Sequence, residues 1–566
     1  MIKRLTITLL LSQLFTIWCF SQPAGGSERL REIVREHRQA GVTIPFPGRE
    51  QMATLTKNVS ILSVREKTVY ILLSPLTVEW FISAGYDYSI VERDDSKGIA
   101  SSVNMSQAME WNTYPTYSQY DSIMRFLASS YPDFCRLDTI GTSVLGKLVL
   151  ALKISDNCSQ DEPEPEVFYT SSIHGDETGG FILMMRLADY LLKNHGSGRV
   201  KNIVDNLEIW INPLANPDGT YNDGDVMVAP VRNNANNYDL NRNFPDPATP
   251  NTVKQKETID MMRFLARHRF VLSANFHSGE EVVNYPWDRW ERDHPDKDWF
   301  YRISRAYADT VHLHAPYGYM NFLDNGVTNG YYWYLVNGGR QDYVTYELQG
   351  REVTIELDLD YITPVGSLNE LWEFNRRSLL GYLENAVYGI SGVVKDALTG
   401  KPVPAMITIE EHDKDHSQVY ADTVTGEFVR LLEPGTWDLN FSASGYQTKV
   451  LNGVILSPGS GVTRIVEMDK VLNPVDTTNP VKPLLYPNPG NDIIFAVLPE
   501  SLIGKVNVRI FNQTGMKMSD YNTTYLYGHP LLLDVRTLAS GSYIVVFTGT
   551  DSSLSYRSRF IVASQF

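Results

Sequence analysis

The chain has 566 residues, 43% of them hydrophobic and 20% charged, with a formal net charge of −16. That length exceeds what one hydrophobic core sustains and implies several domains of ordinary globular composition. The acidic balance argues against a nucleic-acid binder, which needs a basic footprint; it suits a solvated surface and would attract cationic substrates.

Lys3 and Arg4 precede an apolar run over residues 5–20, the pattern of a secretory signal peptide (residues 1–21) cleaved after Ser21. Cys19 raises a lipidated-cysteine alternative, against which stand the bulky Ile17 and Trp18 before it. No later run approaches the ~20 apolar residues of a membrane span. Residues 22–108 read as a small α+β unit, either a pro-region or an accessory domain. It has a charged helix over 28–39, strands over 59–65 and 68–74, a helix over 75–85 and a polar linker over 93–107.

Residues 109–388 change to a mixed pattern, with strand-like runs at 166–173, 207–214, 270–276 and 352–357 and helical stretches at 180–193 and 254–268. The alternation predicts an α/β domain, a sheet covered by helices on both faces with active groups at strand ends. Cys135 and Cys158 flank a predicted hairpin turning at 141–146, which allows a cross-strand disulfide in an oxidising compartment. Residues 389–472 read as all-β, with strands at 391–396, 405–410, 426–431 and 436–442 between Gly, Pro and Asp turns. A Pro/Thr linker at 473–483 leads to a second small β-sandwich over 484–566, with alternating runs at 505–511 and 541–548.

The sharpest chemical feature is the segment 171–177, Ser-Ser-Ile-His-Gly-Asp-Glu, at the end of a buried strand. His174 and Glu177 lie three apart, so one turn of backbone can aim both at one point, and imidazole with carboxylate suits zinc. Such a pair alone is weak, because it recurs on solvated helices. His277 ends the strand 270–276, and two histidines with one glutamate complete a catalytic zinc set that leaves a fourth position for water.

Taken together these residues resemble the zinc metallocarboxypeptidases, particularly the regulatory branch containing carboxypeptidases N, E and D. The resemblance covers about residues 111–388 and runs through separated motifs in order. They are His-Gly-Asp-Glu at 174–177, Asn-Pro-Asp-Gly at 216–219, Arg232 and Asp-Leu-Asn-Arg-Asn-Phe-Pro at 239–245. Ser-Ala-Asn-Phe-His at 273–277 and Tyr-Pro-Trp-Asp at 285–288 follow, then Thr-Asn-Gly at 328–330 and the pair Trp333 and Tyr334. Gln-Asp-Tyr at 341–343 and Glu-Val-Thr-Ile-Glu at 352–356 close the set.

The resemblance implies a funnel-type fold and one Zn2+ on His174, Glu177 and His277, with Glu356 as general base and Arg232 at the oxyanion. Asn241 and Arg242 would clamp the terminal carboxylate, and Asp239 would orient His174. Tyr334, 22 residues before Glu356, would close over substrate. Asp288, 11 residues after His277, would favour a terminal Lys or Arg, and Gln341 fits the same branch. Ser278-Gly279 departs from the two glycines of many members and puts the rim of the pocket in question.

Residues 389–472 resemble the transthyretin-like sandwich of that branch. Residues 484–566 resemble the sorting domain of the type IX secretion system, through Tyr-Pro-Asn-Pro at 486–489, Val-Arg-Ile-Phe at 508–511 and Leu-Ala-Ser-Gly-Ser-Tyr at 538–543. The expectation is therefore a secreted or cell-surface carboxypeptidase of a Gram-negative bacterium, exported through the periplasm by that machinery and acting on peptide C-termini. Two alternatives stand beside it. One is a carboxypeptidase of other specificity or for peptidoglycan peptides. The other is a surface-binding protein on a vestigial fold, against which the complete site residues argue.

Overall fold

The computed structural model describes residues 26–91, 99–222, 224–250, 252–471, 482–486, 488–490, 492–526, 529–550 and 554–563. The predicted signal peptide and most of the predicted 473–483 linker lie outside the described residues.

The N-terminal unit begins with helix Gly26–His37, which buries Leu30 and Val34, four apart on one face. Glu28 sits in its first turn and Arg35 in its last, where each charge complements the helix dipole. Strands β1 (Ala40–Pro45), β2 (Ser60–Arg65), β3 (Thr68–Leu73) and β4 (Ser89–Val91) form an antiparallel sheet in the order β2-β3-β1-β4. Helices Arg49–Asn58 and Val78–Ala84 complete its core. The sequence reading finds β2, β3 and the first and last helices, but not β1 or Arg49–Asn58. The end of the expected 93–107 linker belongs to the next unit, since Ser102 N donates to Tyr114 O and Ala108 is fully buried.

The central unit is an eight-stranded mixed sheet built from β5 (Cys135–Thr142), β6 (Leu148–Ile154), β7 (Glu166–Ser171), β8 (Glu208–Asn212), β9 (Phe270–His277), β10 (Glu280–Tyr285), β11 (Val327–Asn329) and β12 (Arg351–Asp358). Its order is β11-β10-β12-β9-β7-β8-β6-β5, with β12, β9, β7 and β8 mutually parallel. Side chains alternate between two apolar layers, as strand geometry dictates. Val167, Tyr169, Ile209 and Ile211 join the layer under helices Tyr117–Ser130, Gly179–Asn194, Lys297–His312 and Leu368–Glu384. Phe168 and Trp210 join the opposite layer, packed with helix Lys256–Leu265. Burial on both faces is why these strands read as continuous apolar runs. The β5–β6 hairpin forms where expected, but Cys135 faces Ile154 across it, and Cys135 and Cys158 are buried free thiols.

Two β units follow. The first pairs Ile390–Asp396 with Glu427–Arg430 and Val462–Met468, against a second sheet of Val419–Tyr420, Met406–Thr408, Gly435–Ser442 and Lys449–Leu456. It is joined to the central unit by a buried ionic knot at Asp296. The Asp296 carboxylate accepts from Arg351 at 2.7 Å and Arg430 at 2.9 Å, with His412 at 2.8 Å. The last unit sets a three-stranded sheet containing Ile493–Val497 against the four-stranded sheet of Gly504–Asn512. Ile493 and Phe495 enter the central unit's second apolar layer, and Arg263 pairs with Asp534 at 3.0 Å. Among the described residues no helix is long and apolar enough to cross a membrane.

Candidate active site

Parallel strands β7, β9 and β12 end on one side of the sheet, and the chemistry-bearing residues gather at those ends, as open α/β sheets generally arrange them. His174 and Glu177 occupy the loop after β7, leading into helix Gly179–Asn194. His277 is the last residue of β9, and the parallel register sets Glu356 of β12 directly beside it. The loop carrying His174 is fixed by the Asn216–Gly219 turn. Asn216 Oδ1 accepts from Gly219 N at 3.0 Å, while Thr220 Oγ1 donates to Gly175 O at 2.8 Å. Gly175 passes so close that a Cβ there would stand 2.2 Å from the Gly219 carbonyl carbon. A side chain at 175 is therefore excluded by backbone, which explains the glycine between the two ligands.

The donor set fits a single divalent cation. His174 Nδ1 and His277 Nδ1 each lie 2.7 Å from one oxygen of the Glu177 carboxylate and 3.1 Å from each other. Three ligands on ~2.0–2.2 Å arms in tetrahedral geometry stand roughly 3.3–3.6 Å apart, so this cluster has to open by less than about 1 Å to take the ion. All three residues are buried, at 2% exposure each. Burial pushes His277 down to about 4, so its lone pair is available at neutral pH. Burial and Arg232 oppose charge on His174, yet Glu177 and Asp239 hold it above its ordinary value. Burial likewise opposes the Glu177 carboxylate, but the two imidazoles hold it well below its ordinary range. The proton that His174 holds against Glu177 occupies the place that a shared cation would take.

Both rings are oriented from behind. His174 Nε2 donates to Asp239 Oδ1 at 3.1 Å. Asp239 also accepts from Arg232 Nε at 2.9 Å and from Asn241 N at 2.9 Å. The Asn275 amide lies 2.8 Å from His277 Nε2. The near atom is Nδ2; with Nδ1 turned to the shared point, Nε2 carries the proton, and turning the amide over brings to it the oxygen, which otherwise has no partner. Asn275 was not singled out from the sequence; its signal is its place two residues before His277, on the same face of β9.

All nine residues proposed from the sequence for metal, catalysis and substrate line one cleft: His174, Glu177, His277, Glu356, Arg232, Asn241, Arg242, Tyr334 and Asp288. Glu356 is 8% exposed and its Oε2 has no partner. Burial drives its carboxyl well above the ordinary range, reinforced by Glu177 and Glu280 against Arg232 and Arg242. Arg232 Nη1 donates to Glu177 Oε1 at 3.1 Å. Asn241 gives its side-chain oxygen to Arg340 N at 2.9 Å, and Arg242 keeps an unpartnered Nε. At the cleft's far end Asp288 Oδ1 accepts from Asn284 at 2.9 Å and from Gln341 at 2.8 Å. Burial raises the Asp288 carboxyl to about 6.

One residue lines the same cleft from outside the central unit. Leu62 sits at a bulge of edge strand β2, where register shifts between Ile61 and Ser63, and a bulge re-aims the side chain. Just before it, Ser60 Oγ donates to Asp239 Oδ2 at 2.6 Å and Arg242 Nη2 donates to Ile61 O at 3.4 Å. Arg65 reaches Glu280 at 2.9 Å, and Tyr334 packs on the N-terminal core. The cleft retains a volume of about 30 Å³.

Known proteins match the region that holds this cleft. A family model described as zinc carboxypeptidase matches residues 120–378, and one described as a secretion system C-terminal sorting domain matches residues 484–563. Carboxypeptidase D of Mus musculus is 36% identical over 61% of this chain, which spans only 26% of that protein's length. Carboxypeptidase M of Mus musculus is 33% identical over 58% of the chain and 77% of its own. The carboxypeptidase N catalytic chain of Rattus norvegicus is 31% identical over 59% of the chain and 82% of its own. Among solved structures, carboxypeptidase A from Helicoverpa armigera aligns with a TM-score of 0.49 at 18% identity, covering 62% of this chain and 98% of that one.

Proposed function

The chain belongs to the zinc carboxypeptidase family, and from that membership we propose that it is a secreted exopeptidase releasing one residue, lysine or arginine, from peptide C-termini. The observation that carries the reading is the convergence of a three-ligand metal set, an unpartnered buried carboxylate and a guanidinium fork in one cleft.

His174, Glu177 and His277 would hold one zinc ion. The chemistry that zinc supplies when bound is Lewis-acid activation of water and of the scissile carbonyl. Glu356 takes a proton from the attacking water at its free Oε2 and returns it to the leaving amine. Arg232, held against Glu177 and Asp239, is placed to stabilise the developing oxyanion. Arg242 and Asn241 receive the terminal carboxylate, for which a guanidinium fork offers two parallel charge-assisted bonds. Tyr334 closes over the bound chain end, and Asp288 pairs with its basic side chain.

The N-terminal unit acts in this reading as a pro-region rather than an accessory domain. Its β2 strand lays Ile61 O on the carboxylate clamp and Leu62 in the cleft, where a substrate would lie. The C-terminal unit, supported by the sorting model, directs export.

Matched peptides ending in Lys, Arg, Phe and Glu test the proposal, incubated with the processed secreted enzyme with and without chelator. Chelator-sensitive release of Lys and Arg is expected, and Glu356→Gln should lower it by about 10²–10⁴-fold with zinc content unchanged. Release of Phe alone would overturn the basic specificity. Release from none of them by zinc-loaded enzyme would favour a peptidoglycan peptidase or a binding protein.

A further inference from the structure

Asp342 is a buried carboxylate for which the reaction just described has no use. It ends the single turn Arg340–Asp342, whose three residues are each buried and each commit their side chain to the base of the cleft. Arg340 donates to Glu352 at 2.7 Å, and Gln341 donates to Asp288 Oδ1 at 2.8 Å. The Asp342 carboxylate takes the main chain instead: Asp288 N donates to Oδ1 at 3.1 Å and Arg289 N to Oδ2 at 3.0 Å. One turn thus grips Asp288 by side chain and by backbone. From the far side Asn284 holds the same Oδ1 at 2.9 Å, and Arg289 is tethered to Asp246 at 3.3 Å.

Two backbone N–H groups can be capped by a neutral Asn, Ser or Thr oxygen without bringing a second ionisable acid behind the first. A carboxylate accepts both bonds at once and more strongly, at the expense of like-charge repulsion in a buried place. The stronger clamp is worth that expense where the gripped residue must stand in one position. We infer that Asp342 is a positioning residue for basic-substrate selection, fixing the Asp288 main chain so that the Asp288 carboxylate faces the incoming side chain. The inference rests on the basic-pocket reading above.

The groups facing Asp288 are the Asn284 and Gln341 amides, the Arg242 guanidinium, the Tyr334 phenol and the carboxylates of Glu352 and Asp342. Burial raises Asp288, Asn284 and Arg242 pull it back, and Glu352 pushes it further up. Burial raises Asp342 well above its ordinary range, with Asp288 adding to it.

The experiment compares Asp342→Ala, Asp342→Asn and Asp288→Ala in the processed secreted enzyme, on peptides ending in Arg and in Leu across pH 5–8. Asp342→Ala is expected to raise KM for the Arg peptide about tenfold, with kcat and Leu release unchanged. Asp342→Asn, which keeps one acceptor, should recover part of that KM. Equal losses on both peptides in the Asn variant would overturn the inference. If Asp288→Ala itself leaves Arg preference intact, the basic-pocket reading fails first. Loss of preference in Asp288→Ala with wild-type behaviour in both Asp342 variants would sink the role of Asp342 alone.

Discussion

Asp288 titrates within the range where a secreted enzyme works. Its folded value of about 6 lies above the ordinary aspartate range, so the carboxyl is protonated progressively as pH falls through that value. Only the ionised form pairs with a basic side chain. KM for Arg-ended peptides should therefore rise below about pH 6 while KM for Leu-ended peptides stays flat; parallel rises on both would assign the effect elsewhere. Asn275 offers a second check, because it touches His277 and not the substrate. Asn275→Leu should weaken zinc about 10–100-fold in chelator competition without changing the fold. The three candidate metal ligands were legible in the sequence because His174 and His277 follow apolar runs and Glu177 lies three residues after the first. Asn275 and Asp342 were not, since their roles come from strand register and from a turn folding back on a distant loop.

At the level of single elements, β2 has the most to explain. An edge strand normally hides its free side; here that side lies on the catalytic cleft, and the bulge turns Leu62 into it. Replacing Leu62 by Asp should loosen this contact and raise activity of the uncleaved protein towards that of the processed form. Peptide hydrolysis by the full chain measures it, and an unchanged low rate would argue that Leu62 does not block access. β2 and β3 could be read from alternation. The neighbouring β1 and helix Arg49–Asn58 escaped because β1 contains Gly41 and ends in Pro45. The helix carries Thr54, Thr56 and Asn58, which favour helix weakly. What decides both is burial against the rest of the sheet, which no local pattern displays.

Across the whole molecule, the units are coupled through ions as well as apolar surface. Asp296, Arg351 and Arg430 are each almost fully buried at the junction of the central unit and the first β unit. Burial opposes the Asp296 charge, and the two guanidiniums hold its carboxyl well below the ordinary range. Asp296→Ala should destabilise the protein by about 3–5 kcal/mol, because it leaves the buried Arg351 and Arg430 without the carboxylate they share. Denaturant unfolding reads this directly, and a loss under 1 kcal/mol would show the knot to be solvated. The order of the units was legible from composition and turn spacing. Their junctions were not, because Asp296 and Arg430 look like ordinary surface charges until the chain brings them together.

The strand over the cleft travels with the enzyme it covers, one copy for each, on the same chain. Its effective concentration is of the order of millimolar whatever the abundance of the protein, so dilution on leaving the cell would not uncover the cleft. A cut in the connection changes that arithmetic. Under the pro-region reading the freed unit would then obey an ordinary dissociation equilibrium, and the same dilution that had no effect before would become the step that turns the enzyme on.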